Sequence, residues 1–392
     1  MHTQSATTGS AEDGEFYFMS SHRSLKAGGV HARIHTPARG ALDPDSVFSR
    51  EVAEAFARAR ADGIASPVLM GAIPFDIDQP SELFIPARHV FFDRQERLQA
   101  ATQCAGDGGK VVGSRSIPDE QGFKAAVSQA IEQFSHGEIH KAVLSRVLEV
   151  DFDRPVSAER VFDAVCAQNP NGYQFQLPLA DGGRLVGVSP ELLLQKEGAR
   201  VRTFPLAGSA KRQSDPAADA AASARLLDSS KDHYEHSLVI DDIQSVLGPY
   251  CAELSIPSAP SLLGTRAMWH LGSQIDGVLA DASLPILQLA CRLHPTPAIC
   301  GFPTQASRQL IREIEPFERG VFSGIVGWCD EHGNGEWAVT IRCATVADTR
   351  VRLFAGAGIV AASTPESEWA ETQAKLGTML GAFGLSGQEA AA

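Results

Sequence analysis

Apolar positions recur at helical spacing in some segments and at every second residue in others, so the chain mixes helices with strands. Residues 46–61 and 118–135 are predicted helices, the second beginning near Pro118 and Asp119. A third helix runs through Asp232 and Glu235, continues its stripe at Val239, Ile243 and Val246, and stops at Gly248-Pro249. A fourth follows Thr364, a good N-cap, and Pro365, a good first residue, with Trp369, Leu376 and Leu380 as its apolar stripe. The segment HKAVLSRVLEV alternates and reads as a strand with Lys141, Val143, Ser145 and Val147 on one face.

Residues 320–361 read as a β-meander: FSGIVGWC, a turn at DEHGNG, EWAVTIRCATV, a turn at ADT, and RVRLFAGAGIV. Counting register back from Asp348 places Arg342 opposite Ala355 to Gly356, with Ser323 and Gly324 on its other side. Arg342 then sits in a glycine-walled gap with room for a bound group. The Gly-rich stretch 100–116 reads as a linker or surface loop, and 211–224 as a mobile, lid-like loop. Residues 1–14 read as a disordered tail. The remainder, 15–387, is expected to form a single unit, with an N-terminal part over 15–110 and a catalytic part over 111–387.

Composition narrows the function. A chain of 392 residues, 44% hydrophobic, supports a large core. Its net charge of −13 argues against nucleic acid and anionic membrane as partners. Seven scattered cysteines without CxxC spacing read as free thiols, and no signal peptide or membrane span is seen, so a cytoplasmic protein is expected.

Two acidic pairs carry the candidate chemistry. Asp232 and Glu235, and Glu368 and Glu371, are each three residues apart on a predicted helix, so each pair projects two carboxylates from one face. Two such helices facing one another make a hard, oxygen-lined site suited to Mg²⁺. Taken alone, Glu371 and Lys375 read as a solvated ion pair. Asp232 and Glu235 lie on a buried stripe, where carboxylates need partners or a cation. His233 and His236 flank Glu235, but no spacing suggests zinc. Lys141 at a strand end ordinarily snorkels to solvent; desolvated, it can act as a base. Glu191 follows a Ser-Pro break and by itself reads as a turn carboxylate. The Gly-framed segments PLAGSAKR and FAGAGIV offer backbone amides to a carboxylate, yet neither is a dinucleotide fingerprint, and GxSxG and Walker motifs are absent.

The motifs KAVLSR, SPELLL, PLAGSAKR, KDHYEH, HPTPAICGFP, GIVGWC, GNGEWAVTIRCATV, FAGAGIV and EWAETQAKL occur in the order seen in chorismate-utilising enzymes. The chain most closely resembles the isochorismate synthases of catechol-siderophore pathways, such as enterobactin biosynthesis, over about residues 15–386. The resemblance implies an α/β (α+β) fold like that of anthranilate synthase component I. That fold has a large antiparallel β-sheet core, peripheral helices and a site between its halves. It implies Mg²⁺-dependent conversion of chorismate to isochorismate, with water adding at C2 and the C4 hydroxyl leaving.

By the same resemblance, Lys141 activates water and Glu191 protonates the leaving hydroxyl. Glu235 and Glu371 match the direct Mg²⁺ ligands, and Asp232 and Glu368 the water-mediated pair. Arg342, with amides near Gly356, matches the clamp on the enolpyruvyl carboxylate, while Gly208 and Lys375 line the site. Ala298 and Ile299, after Pro297, resemble the isochorismate synthase loop. Phe322 stands where many relatives place a tyrosine. Lys141 favours water as nucleophile, so no glutamine amidotransferase subunit is expected, and a monomer is expected. Salicylate synthase, menaquinone-pathway isochorismate synthase and a chorismate-binding regulator are the alternatives.

Overall fold

The computed structural model describes residues 14–101, 109–135 and 137–385. Among them, seventeen strands form one sheet with antiparallel pairings throughout. From Cys251–Ser255 at one edge the pairings run through Ile275–Leu279, Arg200–Phe204, Leu192–Glu197, Gly335–Val339, Ile325–Asp330, Val68–Ile73 and Glu82–Phe92. They continue through Ser24–Ile34, Glu15–Met19, Tyr173–Pro178, Arg184–Ser189, Cys343–Ala347, Arg350–Val360 and Lys141–Phe152. Val111–Ile117 and Gly301–Phe302 both pair with that last strand. A separate three-stranded sheet joins Leu206–Lys211, Met268–Gly272 and Ser261–Gly264.

The long sheet folds back on itself. Val326, Trp328 and Ala338 share one apolar cluster with Val147, Phe175, Leu185 and Phe354 from the other half, and Phe322 stacks on Phe354 at 4.9 Å between ring centroids. Helices cover the outside. Val47–Ala61, Ser230–Leu247 and Ile286–Leu293 pack on the first half, and Ala158–Gln168 and Pro365–Ala382 on the second. Glu120–Phe134 and Thr304–Ile314 pack near Lys141–Phe152. The caps are those the sequence offers: Ser229 accepts from Asp232 N, and Thr364 from Ser367 N, each worth about 1 kcal/mol.

Two segments pass directly from one half of the sheet to the other. Pro190-Glu191 joins Arg184–Ser189 to Leu192–Glu197, and residues 340–342 join Gly335–Val339 to Cys343–Ala347. They lie side by side: Val339 N donates to Glu191 O and Val188 N to Arg342 O, both at 3.1 Å. These crossings place Glu191 and Arg342 together where the halves meet.

Three expectations need correction. The stretch 211–224 is not a loop: Pro216–Leu227 is a helix capped by Asp215. Its Asp-Pro start and alanine content are helix signals, and Asp219 ties it down by accepting from Arg212 Nε at 2.8 Å and Trp269 Nε1 at 3.1 Å. The Gly-rich stretch 100–116 contains the start of the strand Val111–Ile117, which belongs to the sheet edge. Residues 102–108, with Cys104, lie outside the described residues, as do 1–13, most of the expected tail, and 386–387, the expected end of the unit. The segment EWAVTIRCATV is two strands, broken where Ile341 N bonds Val339 O and Arg342 takes a φ of 50°.

Among the described residues, Cys166, Cys291, Cys300, Cys329 and Cys343 are buried free thiols and Cys251 is half-buried. No helix among them is long and apolar enough to cross a membrane.

Candidate active site

A cavity opens at the two crossings. Of the residues singled out from sequence, Glu191, Gly208, Glu235, Ala298, Ile299, Arg342, Gly356, Glu371 and Lys375 line it. Lys141, Asp232 and Glu368 stand behind that lining. Lys141 Nζ lies 3.0 Å from Glu235 Oε1, Asp232 abuts Gly208, and Glu368 Oε1 is 3.1 Å from Lys231 Nζ.

Glu191 is held by its break in the chain. Its N–H donates to Ser189 Oγ at 3.2 Å, and its carboxylate accepts from Leu206 N at 3.4 Å. Burial raises its pKa to about 7, against that hydrogen bond and the charges of Lys141, Arg342 and Lys375. A carboxyl poised near neutrality can hold and deliver a proton.

Lys141 is fully buried, so it does not snorkel. Its contact with Glu235 is short but not aligned as a hydrogen bond, which leaves the amine's hydrogen-bonding capacity for another group. Arg342 is buried, and among the described residues its guanidinium has no hydrogen bond or ion pair. Burial lowers its pKa to about 10, with Glu371 and Glu191 opposing, so it remains a cation at neutral pH. Five uncommitted donors on a buried fork are a ready clamp for a carboxylate. Arg342 and neighbouring Ser323 both adopt left-handed backbone, with φ of 50° and 55°. Such strain costs about 1–3 kcal/mol per residue and clusters at ligand clamps.

The register, continued two steps beyond the pairing of Ala344 with Leu353, places Arg342 opposite Ala355. Arg342 lies in the kink, though, not within a strand. The glycines also have a different reason from the expected one. A Cβ on Gly356 would stand 2.6 Å from Ser145 Oγ, and one on Gly358 would overlap the Glu235 carboxylate. They make room for the protein's own side chains.

The four carboxylates come from the two expected helices and feel one another. Burial raises the pKa of Asp232, and the charges of Glu235 and Glu371 add to it. Burial raises Glu368, helped by Glu371. Burial would also raise Glu371, but Lys375 and Lys231 hold it below the ordinary range. Lysines meet each helix pair: Lys375 Nζ is 2.6 Å from Glu371 Oε1 and donates to Gly356 O at 2.8 Å. Glu368 is buried, and its Oε2 has no partner. Among the described residues, no three carboxylate, imidazole or thiol side chains converge on one point as a direct ligand set. The unpartnered Glu368 oxygen and the all-carboxylate donor set fit an ion that takes one or two carboxylates and keeps water, the habit of Mg²⁺. The histidines are engaged elsewhere. His236 bonds Ala207 O at 3.2 Å and Ser273 Oγ at 2.9 Å, and His233 bonds Leu227 O at 2.7 Å.

His270 also lines the cavity and was not anticipated. It is buried, its Nε2 has no partner, and burial with Arg342 and Lys375 keeps it well below its ordinary pKa. The hint was a histidine on a strand between Met268 and Gly272, but nothing local says which sheet buries it.

The model of the family described as Chorismate binding enzyme matches residues 85–384, a span holding Lys141, Glu191, Arg342 and all four carboxylates. The chain belongs to the chorismate-binding enzyme family. It is 48% identical over 371 residues to isochorismate synthase EntC of Escherichia coli K12, covering 94% of this chain and 95% of that one. A crystal structure from Bacillus anthracis, provisionally designated a 2,3-dihydroxybenzoate-specific isochorismate synthase, DhbC, superposes with a TM-score of 0.87 at 36% identity. It covers 97% of this chain and 98% of its own. Anthranilate synthase component I of Streptococcus pneumoniae shares the fold, with a TM-score of 0.70 at 18% identity over 97% of this chain and 94% of its own. This chorismate-binding enzyme thus has the expected fold, a large antiparallel sheet with peripheral helices.

Proposed function

We propose that this family member is an isochorismate synthase that converts chorismate to isochorismate with Mg²⁺ and feeds 2,3-dihydroxybenzoate siderophore synthesis. The observation that carries this is the carboxyl of Glu191, raised to about 7, lining a cavity with the buried amine of Lys141 behind its wall, in a chain 48% identical to an isochorismate synthase. Lys141 takes a proton from water as its oxygen attacks C2. Both ring double bonds shift, from C1=C2 to C1=C6 and from C5=C6 to C4=C5, the C4–O bond breaks, and Glu191 gives its proton to the departing hydroxyl. Arg342 holds the enolpyruvyl carboxylate. Water is the nucleophile, so no ammonia-supplying subunit is required, and the chain acts alone.

Glu235 and Glu371 would hold Mg²⁺ directly, with Asp232 and Glu368 reaching it through water. When bound, the ion neutralises the ring carboxylate. In a chain of net charge −13, that ion with Arg342 and Lys375 gives a dianion a local positive environment.

Purified protein with chorismate and Mg²⁺ tests the assignment by product analysis. Isochorismate without pyruvate is expected; salicylate with pyruvate would make it a salicylate synthase, and binding without turnover a regulator. Glu371→Gln should weaken Mg²⁺ binding at least about tenfold, because ligand charge sets affinity for the ion. Calorimetry without substrate reads this directly. Unchanged Mg²⁺ affinity would reduce Glu371 to a partner for Lys375.

A further inference from the structure

The strand Lys141–Phe152 is paired along one edge with Arg350–Val360. On the other edge, Gly301–Phe302 covers Lys141 and Ala142, and Val111–Ile117 resumes from Val147. Between them the backbone faces a gap. Val143 N donates to Cys300 O at 2.8 Å, and two side chains complete the edge as a strand would. Arg319 Nη2 donates to Val143 O at 2.6 Å, and Ser145 N donates to Glu315 Oε1 at 2.7 Å.

The same arginine reaches the opposite wall. Arg319 Nη1 donates to Ile299 O at 2.9 Å. Arg319 and Glu315 bind each other at 2.8 Å and 2.6 Å, and their side chains are only 3% and 4% exposed. Phe75 backs the guanidinium, whose carbon lies 4.3 Å from the ring centroid. Val143 and Ile299 both line the cavity, and Lys141 is two residues from Val143 on the same strand face. One guanidinium therefore fixes the distance between the Ile299 wall and the strand that carries the base.

We propose that Arg319 and Glu315 are positioning residues, a brace that sets Lys141 against the Ile299 wall of the cavity. The assay rests on the isochorismate synthase reading. Arg342, Lys375 and the four carboxylates sit on other elements, so loss of the brace misplaces the base without removing the groups that hold substrate or metal. A misplacement of about 1 Å costs roughly 10²-fold in rate.

Arg319→Lys keeps the charge, but a single ammonium cannot span two carbonyls and both carboxylate oxygens. We expect a folded protein whose kcat falls about 10²-fold. KM and the Mg²⁺ dissociation constant should stay within about threefold of wild type, the signature of an interaction that matters in the transition state. Unchanged kcat would overturn the brace, as would a common fall in kcat, substrate affinity and Mg²⁺ affinity, which marks general loosening. Should Arg319→Lys fail to fold, Glu315→Gln keeps an acceptor for Ser145 N–H, and the same selective loss, about tenfold in kcat, is expected. A wild-type protein that does not turn over chorismate would instead sink the functional reading. Amide exchange at Val143, Ser145 and Ile299 in Arg319→Lys would then decide the brace: faster exchange confined there supports it, and unchanged exchange refutes it.

Discussion

Lys141→Ala should lower kcat by about 10²–10⁴, the usual worth of a positioned proton transfer, while the protein still binds chorismate and Mg²⁺. The fully buried amine has no structural carboxylate of its own beyond Glu235, 3.0 Å away. Lys141 is not among the residues expected to hold the metal, so Mg²⁺ affinity should hold. Calorimetric titrations and steady-state kinetics separate the two effects. If substrate affinity falls as far as kcat, Lys141 is an electrostatic clamp and not the base.

Glu191→Gln is the matching prediction for the acid. Glutamine keeps an acceptor for Leu206 N but has no proton to give, so kcat should again fall about 10²–10⁴-fold. The pH profile supplies the specific mark. With its pKa raised to about 7, Glu191 is protonated below that value, and its contribution to the rate declines as pH rises through it. Glu191→Gln should remove the alkaline limb that Glu191 imposes.

Stability gives an independent reading of the same group. Its folded pKa lies above the ordinary 4.5, so the native state binds more protons than the unfolded chain between about pH 4.5 and 7. The stabilisation from Glu191 is full below that window and is lost as pH rises through it. Glu191→Gln should abolish this component in melts across the window.

Much of the frame was legible because its signals are local. The stripe of Asp232, Glu235, Val239 and Ile243, the Thr364-Pro365 helix start and the turn at Asp348 each declare themselves within a few residues. Register counting from that turn placed Arg342 opposite Ala355 to Gly356, and it lies in the kink just before the strand that pairs there. What escaped depends on distant partners. Val111–Ile117 is a strand because Lys141–Phe152 offers it an edge. The kink at Arg342 arises where the chain passes between sheet halves and bonds Val188. Gly358 is small because Glu235, more than a hundred residues away, fills its space.

The site divides the same way. The residue types at the carboxylate pairs suggested a hard cation, and the family resemblance supplied Lys141 and Glu191, each unremarkable in its own segment. Nothing in HPTPAIC or near FERG says that Arg319 crosses to both Ile299 and Val143. A hydrogen bond between segments 20 and 176 residues apart leaves no periodic trace in either.

The most direct test of the mechanism is the origin of the oxygen on C2. Purified protein, chorismate and Mg²⁺ are incubated in oxygen-18 water, and the product is analysed by mass spectrometry. One oxygen-18 in the C2 hydroxyl of isochorismate, without pyruvate release, is the expected result. Isochorismate carrying no label would show that the hydroxyl migrates within the substrate and contradict activation of water by Lys141.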